Sequence, residues 1–502
     1  MTAARAEAEG VDVGAVARRW APVGASVAVA VVAASTLALR LAPRYDEMHT
    51  LSHLGDADLG ALWSSYRATR DTLPPAGYVV PWLWAKVLGD GILAARVPVV
   101  LSWGVAAGAL SLLTRRAGPW PSFLARVGPS ATGLLYLGAF ARPYAPALAA
   151  LALGVLCWQR SGEVERRGWW LTGGGVAFAL ASSLHHLTAT VPFAVAVATV
   201  WGPGRARPIR SRAVAPLAGG VAPVVASLPL VSRAVEDQGR LDRSVRTIDP
   251  LAFWPSTLRP ALIVVVGTVV VALVAVARSR RAHSQRGLDG GRGPDAPGLS
   301  PELVWAGWLV VVATPVLTVV AMTLTSGVYV HRYAMGAVIG AAILVAALST
   351  SMVDASPSTG PIFGALAVVG VILVVAQLCG SFLGAGAARQ LPEALALDGR
   401  GSGPVVVLDE YDLRLLRTYG DEALAGRMVL GAPATIADSP EPVDVDALLS
   451  VADGPVDVVG DAGQVREVLE DQPGWRGEEV GSVTYVRPGV DRLLVHERLT
   501  RP

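Results

Sequence analysis

Two adjacent carboxylates, Asp46 and Glu47, stand in the stretch RYDEMHTLSH, immediately after an apolar run of about twenty residues; two histidines, His49 and His53, follow them. A carboxylate at the mouth of a membrane can act as a general base where a lipid-borne substrate meets water. An acidic pair also marks the solvated end of many helices, so the surroundings decide between the two readings. Cations that could hold the complementary anion are Lys86, the chain's one lysine, and Arg96, Arg142 and Arg332, each at the edge of an apolar run. Fixed cations in a poorly hydrated cleft stabilise a phosphate leaving group that gains negative charge, whereas an arginine at a helix end can also simply reach for lipid headgroups. His185, His186 and His331 fall at similar edges and could hydrogen-bond a polar substrate. His49 and His53 are spaced to share a helix face, but a metal needs three or four converging ligands. No metal and no other cofactor is expected.

The elements that carry these residues span a membrane. The chain has 502 residues, of which 52% are hydrophobic and 16% charged, with a mean hydropathy of +0.48 and a net charge of +2; soluble domains average about 25% charged residues. Apolar runs at roughly 22–42, 92–113, 122–140, 143–160, 169–184, 187–202, 213–232, 254–277, 302–325, 331–350 and 360–382 predict an α-helical polytopic protein of about 11 transmembrane helices. Arginines 18/19, 115/116, 160, 166/167, the RARPIRSR run and RSRRAHSQR fall in alternate connections. The positive-inside rule therefore places residues 1–21 in a cytoplasmic tail and the C-terminal region outside a plasma membrane. The two cysteines, Cys157 and Cys379, both lie in apolar runs and offer neither a disulfide framework nor metal-type spacing.

The loop 43–91 carries DADLGALWSSYRATRD, whose apolar residues recur at helical spacing, and then PPAGYVVPWLWAKVLG, too short to span and rich in Tyr and Trp. Both read as helices lying at the lipid–water boundary. Segment 278–301 is a Gly- and Arg-rich flexible loop on the cytoplasmic side. Residues 383–502 alternate short apolar runs (GPVVVLDE, GRMVLG, PVDVVG) with helical stretches and close on a strand pair, which predicts a small extracytoplasmic α/β domain.

The acidic pair after the first span, Pro74-Pro75, the aromatic stretch behind them, AARVPVVLS and FARPYAPALAALALG follow one another in an order that resembles the family 39-type glycosyltransferases of the GT-C superfamily. These are the relatives of protein O-mannosyltransferases and lipid A aminoarabinose transferases, and the likeness is greatest to the branch with the RgtA/B/C/D-like domain. It covers roughly residues 20–350, and makes 22–382 the catalytic module. The family often has a histidine before the two prolines; here that residue is Leu73, so any role of that histidine passes elsewhere, with His49 and His53 as candidates.

The resemblance implies a metal-independent or weakly metal-dependent inverting transferase. Its donor would be a monosaccharide on a polyprenyl phosphate, and its acceptor a glycan, glycolipid or protein. Asp46 would be the general base, Glu47 a second carboxylate, and Arg332 a phosphate ligand in the late Arg-Tyr pair. Richness in Ala, Val, Gly and Arg points to a high-GC genome, from which mannose or arabinose is the expected sugar. The competing readings are a lipid or sugar transporter or flippase, which would carry its ionisable residues near the bilayer midplane, and a non-catalytic glycan-binding membrane protein. Nucleic acid is not an expected partner, since the basic runs are short and flank spans.

Overall fold

The computed structural model describes residues 13–41, 45–68, 73–163, 167–203, 209–241, 299–324, 331–355, 360–389 and most of 391–501. The chain divides into two compact units. The larger, helical unit comprises Met1–Ala38, Thr72–Pro81 and Leu93–Gln377; the smaller comprises Leu39–Asp71, Trp82–Ile92 and Leu378–Pro502.

Described helices in chain order are α1 (Val13–Arg40), α2 (Tyr45–Leu51), α3 (Leu59–Ala68), α4 (Ala76–Leu88), α5 (Ile92–Thr114), α6 (Pro119–Ala131), α7 (Tyr144–Glu163), α8 (Arg167–Leu184), α9 (Thr190–Trp201), α10 (Ile209–Leu241), α11 (Pro301–Leu324), α12 (Ala337–Ala355) and α13 (Gly360–Arg389). Among the described residues five helices are long and apolar enough to cross a membrane, at 20–40, 92–117, 211–229, 301–321 and 362–379, with shorter apolar helices at 186–201 and 337–351. The expected span 254–277 and nearly all of the loop 278–301 lie outside the described residues.

The run 122–140 differs from expectation: it is not one helix. α6 ends at Ala131, where Thr132 turns extended and its hydroxyl donates to the Pro129 carbonyl at 2.7 Å. The chain then runs irregularly, with one 3₁₀ turn at Leu135–Gly138, until α7 starts at Tyr144. Almost all of this segment is buried, as non-helical backbone in a membrane protein must be. Small residues let the helices approach. A Cβ on Gly340 of α12 would come within 2.5 Å of the Gly307 carbonyl of α11, and one on Gly219 of α10 would collide with Gly175 of α8.

In the smaller unit, strands β1 (Val405–Val407), β2 (Met428–Leu430), β3 (Val456–Asp461), β4 (Arg476–Arg487) and β5 (Val490–Thr500) form a sheet in the order β2-β1-β3-β5-β4. Pairing is parallel among the first three and antiparallel at β3–β5 and β5–β4. Residues of β1 point alternately to two cores. Val405 and Val407 join Leu413, Leu424, Met428 and Leu430 on one face; Val406 joins Val456, Val458, Val465, Trp475 and Leu499 on the other. Burial on both faces is why these strands read as unbroken apolar runs. The helix Ala462–Glu470 starts at a capping box made by Asp461 and Gln464. Met48, from α2, belongs to the first of these cores.

Candidate active site

In the helical unit, the irregular segment before α7, the turn between α8 and α9, and the 3₁₀ turn before α12 bring a ring-lined cluster together. The Arg332 Nε donates to the Tyr144 hydroxyl at 3.0 Å, and its guanidinium lies 5.8 Å from the Tyr144 ring and 5.6 Å from the Tyr333 ring. The His185 ring sits 5.4 Å from both tyrosine rings and stacks on His186 at 5.6 Å. His185 is buried (2% exposed), while Arg332, Tyr333 and His186 keep partial access. Gly77, just after the Pro74-Pro75 pair, faces the same turn: a Cβ there would be 3.3 Å from the Leu184 carbonyl and 3.4 Å from Pro143. The proline pair, the ARPY string and the His-His turn are thus adjacent in space. A guanidinium beside aromatic rings is held by cation–π attraction, and guanidinium geometry suits phosphate oxygens.

Arg142 lies in the buried segment that leads to Tyr144 and is 5% exposed. Arg96 is 2% exposed; it donates to the Ala38 carbonyl at 2.6 Å, capping α1, and lies 5.7 Å from the Phe140 ring. That gives Arg96 a clear structural task. His331 begins the 3₁₀ turn, and its side chain lies outside the described residues.

The other candidates belong to the smaller unit. Asp46 sits in α2, and its side chain lies outside the described residues. Glu47 is fully buried and His49 is 8% exposed. A solvated helix end therefore does not describe Glu47. His53 is fully buried, with its Nδ1 2.8 Å from the Ser65 hydroxyl and 3.5 Å from Asp56 Oδ2. Both partners meet the same ring nitrogen, so this is no relay of the serine-hydrolase kind, which uses the two nitrogens separately. Lys86 donates to the Asp56 carbonyl at 2.6 Å and rests 5.0 Å from the Trp82 ring, while Trp82 Nε1 donates to that same carbonyl at 2.8 Å. These bonds fasten α4 to the α2–α3 turn. Among the described residues no three His, Cys, Asp or Glu side chains group as metal ligands.

Sequence reasoning did not single out Tyr144 as a site residue, although it lies in the quoted FARPYAP string. His496 is a second residue that the sequence alone does not mark. That residue is fully buried on β5, with Nδ1 donating to the Leu395 carbonyl at 2.6 Å and Nε2 3.1 Å from Asp457. Arg498 and Arg427 also pair with Asp457, at 2.8 and 3.2 Å. Burial works to raise the Asp457 pKa, but hydrogen bonding and charge from His496 and Arg498 outweigh it and hold it at about 2.

No protein-family model matches the chain, and no curated protein matches it in sequence. Its structure is similar to the crystal structure of ArnT from Cupriavidus metallidurans bound to undecaprenyl phosphate, with a TM-score of 0.55 and 14% identity over 95% of this chain and 98% of that one. The apo-state structure of that protein superposes less well, at a TM-score of 0.43 and 15% identity. The chain shares the fold of that protein.

Proposed function

We propose that this protein is an integral membrane glycosyltransferase that moves one monosaccharide from a polyprenyl phosphate to an acceptor hydroxyl. The observation that carries the reading is the Arg332–Tyr144–His185–Tyr333 cluster, set where three interrupted or short helical segments meet, in a fold whose solved relative holds undecaprenyl phosphate. Arg332 would bind the phosphate that departs. The acceptor oxygen bonds to the anomeric carbon as the carbon–oxygen bond to phosphate breaks, and the electron pair leaves on the phosphate. Fixed donors near that oxygen favour the charge that develops there. The acceptor's proton passes to a carboxylate, for which Asp46 is our candidate, and attack opposite the leaving group inverts the configuration.

His185 and His186, beside both tyrosines, would contact the sugar, and the rings offer it an apolar face. His49, His53 and Glu47 remain further candidates for acceptor contacts, Arg142 and Lys86 for the phosphate. Mannose and arabinose are the sugars to try first. The arginine-bearing connections and exposed Trp169, Trp201 and Trp305 at the far helix ends support placing those ends at the cytoplasmic headgroups, and the Arg332 cluster at the opposite face.

The test is sugar transfer in membranes given radiolabelled polyprenyl-phosphate sugars. Labelled product from the wild type, lost in Arg332→Ala and Asp46→Asn variants that still insert, supports both assignments. Undiminished transfer by either variant removes that residue from the mechanism. A folded wild type that labels nothing from any donor would move the weight to the transporter or glycan-binding reading.

A further inference from the structure

Arg126 lies in α6, about 10 Å along the helix from its start. It is 7% exposed, its Nε has no hydrogen-bond partner, and among the described residues no carboxylate, carbonyl or ring engages its guanidinium. Two other buried arginines differ sharply: Arg212 makes two 2.9 Å bonds to Glu302, and Arg96 caps a helix. An uncompensated buried cation costs several kcal/mol, so a guanidinium kept in this position needs an anion.

Two side-chain bonds tie α6 to α5: the Ser122 hydroxyl donates to the Thr114 carbonyl, and Trp103 Nε1 donates to the Ser130 hydroxyl at 3.2 Å. Ser122 and Ser130 stand four residues before and after Arg126, so these bonds bracket it along one helix face. Ser111 lies on α5 between the two bonded positions, fully buried, with no partner for its hydroxyl. α12 closes the same corner, where the Thr350 hydroxyl donates to the Ala117 carbonyl at 2.8 Å. The adjacent Ser349 is also fully buried and its hydroxyl unpartnered. Three buried polar groups without partners thus come from three elements that these bonds tie together.

We propose that Arg126 is the cation of a phosphate site inside the helical unit, occupied by the headgroup phosphate of a membrane lipid, with Ser111 and Ser349 as further donors. Guanidinium presents five N–H donors in a fork that fits phosphate oxygens, and serine hydroxyls add neutral donors. The site belongs to the helix ends marked by the exposed Arg116 and its partner Glu163. α7 separates Glu163 from Tyr144 by about 28 Å, so this phosphate site is not the Arg332 cluster, and it stands independently of the transfer reaction proposed above.

The test is thermal unfolding of the full-length protein, stripped of lipid in mild detergent, with phosphatidylglycerol, diacylglycerol or inorganic phosphate added in turn. A phosphate-bearing lipid should raise the wild-type Tm by several degrees, and diacylglycerol should not. Arg126→Gln should lose that response, while its lipid-free Tm equals or exceeds the wild type's, because the unpaired charge is gone. Arg126→Lys keeps the charge without the fork, and should need at least about tenfold more lipid. The Ser111→Ala/Ser349→Ala double variant should weaken the response, and Arg116→Gln should leave it intact. An equal response in Arg126→Gln, a response to diacylglycerol equal to that for phosphatidylglycerol, or no wild-type response overturns the site. An Arg126-dependent response to inorganic phosphate alone overturns the lipid as its occupant.

Discussion

The two ends of the helical unit handle charge in opposite ways. At the end where α7 finishes and α10 and α11 begin, Arg212 is 1% exposed and doubly bonded to Glu302, with its guanidinium 5.1 Å from the Trp158 ring. Beside it Arg116 and Arg160 share Glu163, at 2.9 and 3.1 Å. At the end where α7 begins, Arg332 is set among two tyrosines, with the stacked histidine pair beside them. One end spends its cations on carboxylates of its own chain and so holds helices together. The other sets a cation among aromatic rings and bonds it to a tyrosine hydroxyl. The difference teaches that burial of an arginine is not by itself a mark of function; the chemistry of its partners is.

The largest effect tests the closed end. Arg212→Ala strands Glu302 in the interior and should cost about 3–5 kcal/mol of stability, read as a lowered Tm in detergent. The double variant Arg212→Met/Glu302→Leu should regain most of that loss, and protein that survives should transfer sugar at the wild-type rate per molecule. At the open end Arg332→Ala should do the reverse: kcat/KM falls roughly 10²-fold or more, with a Tm close to the wild type's. Equal losses of Tm in both variants would erase the contrast.

A third cluster, in the smaller unit, gives an intermediate effect. The Asp457 pKa is depressed from 3.8 to about 2 by His496 and Arg498, with Arg427 on its other oxygen. Because the folded-state value is the lower one, this stabilisation is complete above about pH 3.8 and is lost as pH falls through 2. It amounts to about 2 kcal/mol. Acid unfolding followed by circular dichroism should therefore shift to higher pH in Asp457→Asn, which lacks that titration. The smallest effect sharpens the open end: Tyr144→Phe keeps the ring but deletes the acceptor of the Arg332 bond, and should lower transfer by about fivefold to tenfold. Recovery with a phosphate-richer donor but not with a different acceptor would tie Tyr144 to the phosphate side.

Nine of the eleven apolar runs coincide with described helices, because length and apolarity specify a spanning helix. The same signal failed at 122–140: Thr132–Phe140 is as apolar as a span, and composition does not tell a buried irregular segment from a buried helix. The break mattered, since it delivers Tyr144. In the C-terminal region the strands were legible from VVVL, RMVL and DVVG, where two buried faces leave no polar alternation. Ring clusters and ion pairs were not legible. Arg212 lies in a run that looks like a solvated orientation signal, and its partner Glu302 is 90 residues away. Arg332 was named because of a resemblance, while its partner Tyr144 lies 188 residues upstream, a separation no spacing rule covers.

Met48 packs among Leu395, Leu413 and Leu424, so a core built mostly from the last 125 residues is closed by a residue from the first fifty. On the ribosome α2 is therefore synthesised early and buried late, after every intervening helix has been made. Such a contact of very long sequence separation is slow to form, and until it forms Met48 is an exposed apolar anchor. Assembly of the smaller unit is thus a checkpoint that only a fully translated chain can pass, and a chain cut short after α13 would leave the first loop without the core that fastens it.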